Sequence, residues 1–199
     1  ALGLATPLGS ALARGLSGFS AWLTGQPGTP ASKAQQRAFS AANAHSWVGF
    51  PKGTQLRHLV TQTVGSTRID LLGFRSGTSA FCLRIVVQGK TRTTTQHCAS
   101  LPDLQLPGSP VRVVIVDYPV GKGDKTAWYG LDHLHSANLQ ITAGIADDSV
   151  RSVILHDNQG RHEVPAHYNA LLHVAKAPDI GQRVSAVSAE TTNGTVSVP

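Results

Sequence analysis

The chain has 199 residues, 41% hydrophobic and only 14% charged, so a packed core is within reach, and Thr, Ser, Gly and Val fill the composition as in strands and turns. Its net charge of +6 comes from eleven Arg and six Lys scattered singly, with no basic run and no stacking-aromatic motif, which argues against a nucleic-acid partner. No apolar run approaches the roughly 20 residues that cross a bilayer.

The first predicted element is a helix over 8–23. Leu8, Leu12, Leu16, Phe19 and Leu23 recur at spacings of three and four, with Ser10, Arg14, Ser17 and Ser20 on the other side. This helix reads either as docked on the domain or as a juxtamembrane segment continuing an anchor before Ala1. The absence of any Met, position 1 included, favours the anchor. Gly25-Gln-Pro-Gly-Thr-Pro30 breaks the pattern. Thr29 and Pro30 then read as N-cap and first-turn residue of an Ala-rich helix over 31–45. The expected organisation is an amphipathic juxtamembrane segment over 1–28, a helix with linker over 29–54 and a β-sandwich-like domain over 55–199.

From Leu56 onward the pattern is that of strands, expected over 56–64, 67–74, 80–87, 91–98, 111–118, 126–131, 139–142, 150–156, 161–166, 171–175, 183–189 and 195–198. Turn residues separate them at Gly65-Ser66, Ser76-Gly77, Gln88-Gly89-Lys90, 107–110, 121–124, 157–160 and Asn193-Gly194. Strands never alternate with helices, so a parallel α/β sheet is not expected. The fold class read from this pattern is mainly β: a sandwich-like antiparallel domain preceded by N-terminal helices. Within it, 143–175 reads as a hairpin turning at Asp157, Asn158 and Gly160 with a third strand following at once, a self-contained piece of sheet.

Chemistry is sparser. Cys82 and Cys98 lie on adjacent predicted strands joined through Gln88-Gly89-Lys90, which can set the sulfurs opposite each other. Closing a loop of about 15 residues stabilises by roughly 3 kcal/mol in the chain-entropy model. A disulfide implies an oxidising, extracytoplasmic setting; the alternative is two buried thiols in a reducing one. The spacing fits neither a zinc site nor a Cys-x-x-Cys redox motif, and no cofactor is called for.

Nine histidines invite a metal reading, and His133 and His135 share one strand face. No third or fourth ligand is seen to converge on them, so no metal site is assigned. Gly121-Lys-Gly-Asp124 lacks the frame of a phosphate loop. Trp128 and Tyr129, with Tyr118 before them, form an aromatic cluster. These three and His133 and His135 are the candidate binding residues, beside a core role for the aromatics. Asp117, Asp132, His133 and His135 are the groups a hydrolase would draw on, but no Gly-x-Ser-x-Gly elbow exposes a nucleophile. Asn193-Gly-Thr195 spells a glycosylation sequon and reads first as a turn.

Several segments together carry a resemblance. They are Trp47-Val-Gly-Phe-Pro-Lys-Gly-Thr54, Gly73-Phe-Arg-Ser-Gly77, Phe81-Cys-Leu-Arg84 with Cys98, Val113-Val-Ile-Val-Asp-Tyr118, and Ala143-Gly-Ile-Ala-Asp-Asp-Ser-Val-Arg-Ser-Val153. The Asp157-to-Gly160 turn with Val164-Pro165 and Asn169 completes the set. The chain resembles extracytoplasmic, membrane-tethered β-rich proteins of high-GC actinobacteria, a group with no assigned catalytic residues. The resemblance implies a transmembrane helix ahead of a β-rich domain. The expected function is non-enzymatic interaction or sensing at the cell envelope, with an envelope component or protein as partner. A hydrolase and an assembly subunit using a strand edge are the rival expectations.

Overall fold

A computed structural model describes residues 27–44, 50, 53–77, 80–89, 92–100, 110–119, 138–157, 159–177 and 184–198; of 44, 114–119, 138 and 177 it describes the backbone. In chain order the described elements are β1 (Thr29–Pro30), α1 (Lys33–Ala44), β2 (Arg57–Val64), β3 (Thr67–Ser76), β4 (Ala80–Gln88), β5 (Arg92–Ser100), β6 (Val111–Pro119), β7 (Asn138–Ala146), β8 (Val150–Asp157), β9 (Gly160–Pro165), β10 (Ala170–Ala177), β11 (Ala186–Thr191) and β12 (Gly194–Val198). The fold is mainly β, and every strand pair is antiparallel. Of the two expected N-terminal helices, the described residues include α1; the helix over 8–23 and the strand over 126–131 lie outside them.

The strands form three sheets. Sheet I has the order β1-β2-β3-β4-β5, sheet II β10-β7-β6 and sheet III β12-β11-β8-β9. Alternation along β3 and β4 explains the layering, because both strands are apolar on both faces. Ile69, Leu71, Leu83, Ile85 and Val87 turn to sheet II and meet Leu139, Ile141, Ile145, Leu172 and Val174. Leu72, Phe74, Cys82 and Val86 turn the other way and pack with Leu56 and with Phe39 of α1. Phe39 and Phe50 close over Phe74 with ring centroids 4.9 and 5.0 Å away. Burying one such side chain is worth roughly 1.5–3 kcal/mol, which outweighs the weak amphipathicity of an Ala-rich helix. A third cluster, Val111, Val150, Val153, Leu155, Val164, Leu171 and Val187, fills the space between sheets II and III.

Helix α1 starts later than expected. Thr29 and Pro30 pair with His58 and Arg57 as β1. Ser32 is the N-cap instead: its Oγ accepts from the Gln35 N–H at 3.2 Å, and Gln35 Oε1 accepts from the Ser32 N–H at 2.9 Å. This is the Ser-x-x-Gln capping box, which satisfies two donors reciprocally. Farther along, two side-chain amides clamp the returning chain. Gln36 bonds to the Thr54 carbonyl and Leu56 N–H, and Asn43 to both backbone groups of Phe50.

The stretch 143–175 is not a self-contained sheet. Its hairpin, β8–β9, is present in sheet III, but β10 leaves β9 and pairs with β7 in sheet II along its whole length. The chain therefore crosses from sheet II to sheet III and back. β10 is apolar on both faces, with Leu171 in one cluster and Leu172 and Val174 in the other, so it needs a layer on each side. Sheet II, between the other two, supplies both. The return is made at Tyr168 and Asn169, whose φ values of 52° and 60° close a two-residue turn between His167 and Ala170. Asn169 Nδ2 donates to Asp148 Oδ1 at 2.6 Å and ties this turn to the one joining β7 and β8. β7 itself runs on through Ala143-Gly-Ile-Ala146. Ala and Gly are poor strand formers, but Gly144 lets β6 approach: a Cβ there would sit 2.5 Å from the Arg112 carbonyl oxygen.

Candidate functional site

Three polar assemblies stand out on this framework. The first is the disulfide. Cys82 on β4 and Cys98 on β5 are directly opposite in the strand register, and a bond joins them. Cys82 is wholly buried beside Phe39 and Phe74, whereas Cys98 belongs to the exposed side of β5. The bond therefore fastens a largely polar outer strand to the apolar centre of sheet I. Next to it, Arg84 lies over the Phe39 ring at 5.3 Å. Burial, then the charge of Arg92, lowers the Arg84 pKa. On the sheet's other face burial lowers the pKa of His97.

The second is centred on Asp70, whose side chain is 0% exposed on the α1 face of β3. Its Oδ1 accepts from Thr61 Oγ1 at 2.6 Å and Arg68 Nε at 2.9 Å. Its Oδ2 accepts from Gln88 Nε2 at 2.8 Å and, across to the helix, Gln35 Nε2 at 3.3 Å. His58 Nε2 lies 2.8 Å from Thr61 Oγ1. An Asp, a His and a hydroxyl in contact resemble a hydrolytic triad by content, but their order is wrong. A nucleophile must yield its proton to the imidazole. Here Thr61 gives its proton to the carboxylate, so His58 Nε2 donates to Thr61. The assembly is a clasp joining β2, β3, β4 and α1.

The third lies between sheets II and III. His162 on β9 sits 3.1 Å from Asp157 Oδ1, on β8, through its Nε2. Its ring faces that of His173 on β10, with centroids 5.3 Å apart and planes inclined by 30°. His173 is the cross-strand partner of Thr142 on β7. His173 Nε2 and Thr142 Oγ1 are both buried and have no hydrogen-bond partner among the described residues. Burial, then the charge of His162, lowers the His173 pKa, with Asp157 acting in the opposite sense. Burial works to raise the Asp157 pKa, but the N–H groups of Gln159 and Gly160 together with His162 reverse the sign and hold it below the ordinary value.

Of the candidate residues read from the sequence, Cys82 and Cys98 are joined. Tyr118 is on β6 opposite Leu139, and its neighbour Asp117 is opposite Gln140. Trp128, Tyr129, Asp132, His133 and His135 lie outside the described residues. Among the described residues no group of three or more His, Cys, Asp or Glu side chains could hold a metal ion. Likewise no described helix is long and apolar enough to cross a membrane.

Asp70, His162 and His173 went unassigned in the sequence, yet each carries a signal. Asp70 alternates with Leu72 and Phe74 in a strand apolar on both faces, so it must be buried and must be paired. His162 alternates with Val164, and His173 with Leu171 and Ala175, which turns both inward. Comparison of the chain with protein-family models, with curated proteins and with solved structures finds no match.

Proposed function

We propose that this chain is a non-enzymatic, extracytoplasmic interaction or sensing domain of the cell envelope, held near a membrane through a segment at or before its N-terminus. The observation that carries the reading is the Cys82–Cys98 bond, because structural disulfides persist in oxidising compartments and are rare in reducing ones. The polar groups inside the body serve cohesion: Asp70 clasps four elements, and Asp157 is held by the turn that follows it together with His162. The apolar stripe Leu8, Leu12, Leu16, Phe19 and Leu23 and the resemblance to tethered actinobacterial proteins support a membrane-proximal position. The partner would be a protein or another envelope component. Protease added to intact producing cells tests the reading. Cleavage of the domain before lysis is expected, and full protection until lysis would overturn it.

A further inference from the structure

Sheets II and III meet through two imidazoles, and such a contact responds to protons. We propose that His162 and His173 form an acid-operated latch between the two sheets, closed when the pair carries no more than one proton and forced open when both rings are charged. The latch rests on this geometry and is independent of where the protein resides.

The asymmetry of the pair drives it. Asp157, 3.1 Å from His162 Nε2, provides a carboxylate for one imidazolium. His173 has no such provision. Its Nε2 is buried with no partner among the described residues, and a second cation would stand against the first at a ring separation of 5.3 Å. Two like charges at that distance repel, and water reaches only one of them, since the His162 side chain is 32% exposed while His173 Nε2 is buried. Thr142, across the ladder on β7, offers a hydroxyl but no charge.

The surroundings add little relief. β8 turns Leu155 and Asp157 toward the pair, β9 turns Val164 beside His162, and β11 places Val187 and Ala189 in the adjoining cluster. By alternation His156, Arg161 and Glu163 belong to the outer face of sheet III, where Glu163 accepts from Ser152. β7 contributes Thr142 and Gln140. On β6, Ile115 is in register with Thr142, and Asp117 with Gln140 one pair farther along the face.

The sign follows. Burial and His162 hold the His173 pKa below 6.5, so the folded protein binds fewer protons than the open form just below that pH. The contact is fully stable above the ordinary histidine pKa and weakens as pH falls toward the folded value. Within that window each pH unit favours opening by roughly tenfold.

Hydrogen exchange of the full chain at about pH 7.5 and about pH 5, corrected for the intrinsic pH dependence of exchange, reads the opening. Peptides covering β9 and β10 are expected to lose protection at the lower pH by up to roughly tenfold per unit, while those covering β3 and β4 keep theirs. In His173→Phe the loss should vanish, and in His162→Phe, where burial alone still lowers the His173 pKa, it should shrink. Unchanged protection in the wild type, as would follow if Asp117 neutralised His173, overturns the latch. So does an equal loss in a folded variant. Should both variants fail to fold, NMR titration of the wild type decides. A His173 ring titrating below the ordinary histidine value of about 6.5 supports the latch, and one titrating at or above it overturns the proposal.

Discussion

Asp70→Asn probes how α1 is held to sheet I, because it keeps the side chain's shape and removes one acceptor. Four donors converge on the carboxylate, Thr61 and Arg68 on Oδ1 and Gln35 and Gln88 on Oδ2. An amide replaces one oxygen by an NH2 group, itself a donor. Turned toward Gln35 and Gln88 it loses two bonds; turned toward Thr61 and Arg68 it loses only the one to Arg68, because the Thr61 hydroxyl can reverse and accept. The second orientation is the cheaper, since Arg68 is 54% exposed and can turn to water. The three bonds that remain lose their charge, and a bond to a charged acceptor contributes roughly 1.5–3 kcal/mol against roughly 0.5–1.5 kcal/mol for a neutral one. The expected loss is about 3 kcal/mol, a large share of the about 5–15 kcal/mol that holds a typical domain together. Urea denaturation at neutral pH, followed by far-UV circular dichroism, should show a lower midpoint with an unchanged slope. A loss below about 1 kcal/mol, the scale of an exposed ion pair, would refute the clasp.

Other positions test other layers. Leu155→Ala, at a wholly buried position between sheets II and III, should cost about 2–5 kcal/mol in the same denaturation, whereas a surface site would cost a fraction of that. Ser32→Ala removes the capping hydroxyl of α1 and should cost about 1 kcal/mol by thermal or urea unfolding. The Asp157 carboxyl, held below its usual pKa of 3.8 in the folded state, contributes stability that is complete above that value and is lost as pH falls toward the folded pKa. Asp157→Asn should therefore flatten the stability loss below about pH 4.

Strand positions were legible because most strands carry their own punctuation. Gly65-Ser66 and Asn193-Gly194 mark two reversals that the fold contains, and the β4–β5 register, which pairs Gln88 with Arg92, places the cysteines opposite each other. Sheet membership was not legible. Nothing local distinguishes a β10 that continues sheet III from one that returns to sheet II. What decides it is that Leu171 and Leu172 both need cover, which a strand in the middle sheet receives from sheet III on one side and sheet I on the other. The helix start was misplaced for a related reason. Thr29-Pro30 and Ser32 both look like N-caps, and β2 settles the choice by recruiting Thr29 and Pro30 into a bridge. The polar assemblies were hidden because attention to histidine number favoured His133 and His135, spaced two apart. The pair the fold brings together, His162 and His173, is separated by a turn and a change of sheet. Partnership across layers leaves only its alternation with apolar residues in the sequence.

The covalent state of the two cysteines tests the account most directly. Protein taken from producing cells into acid, denatured without reductant and treated with an alkylating reagent should carry no label on Cys82 or Cys98 by intact mass, and should take up two labels only after reduction. Two labels before reduction would mean that β5 is not fastened to β4 in the cell, and the argument for an oxidising compartment would fall with it.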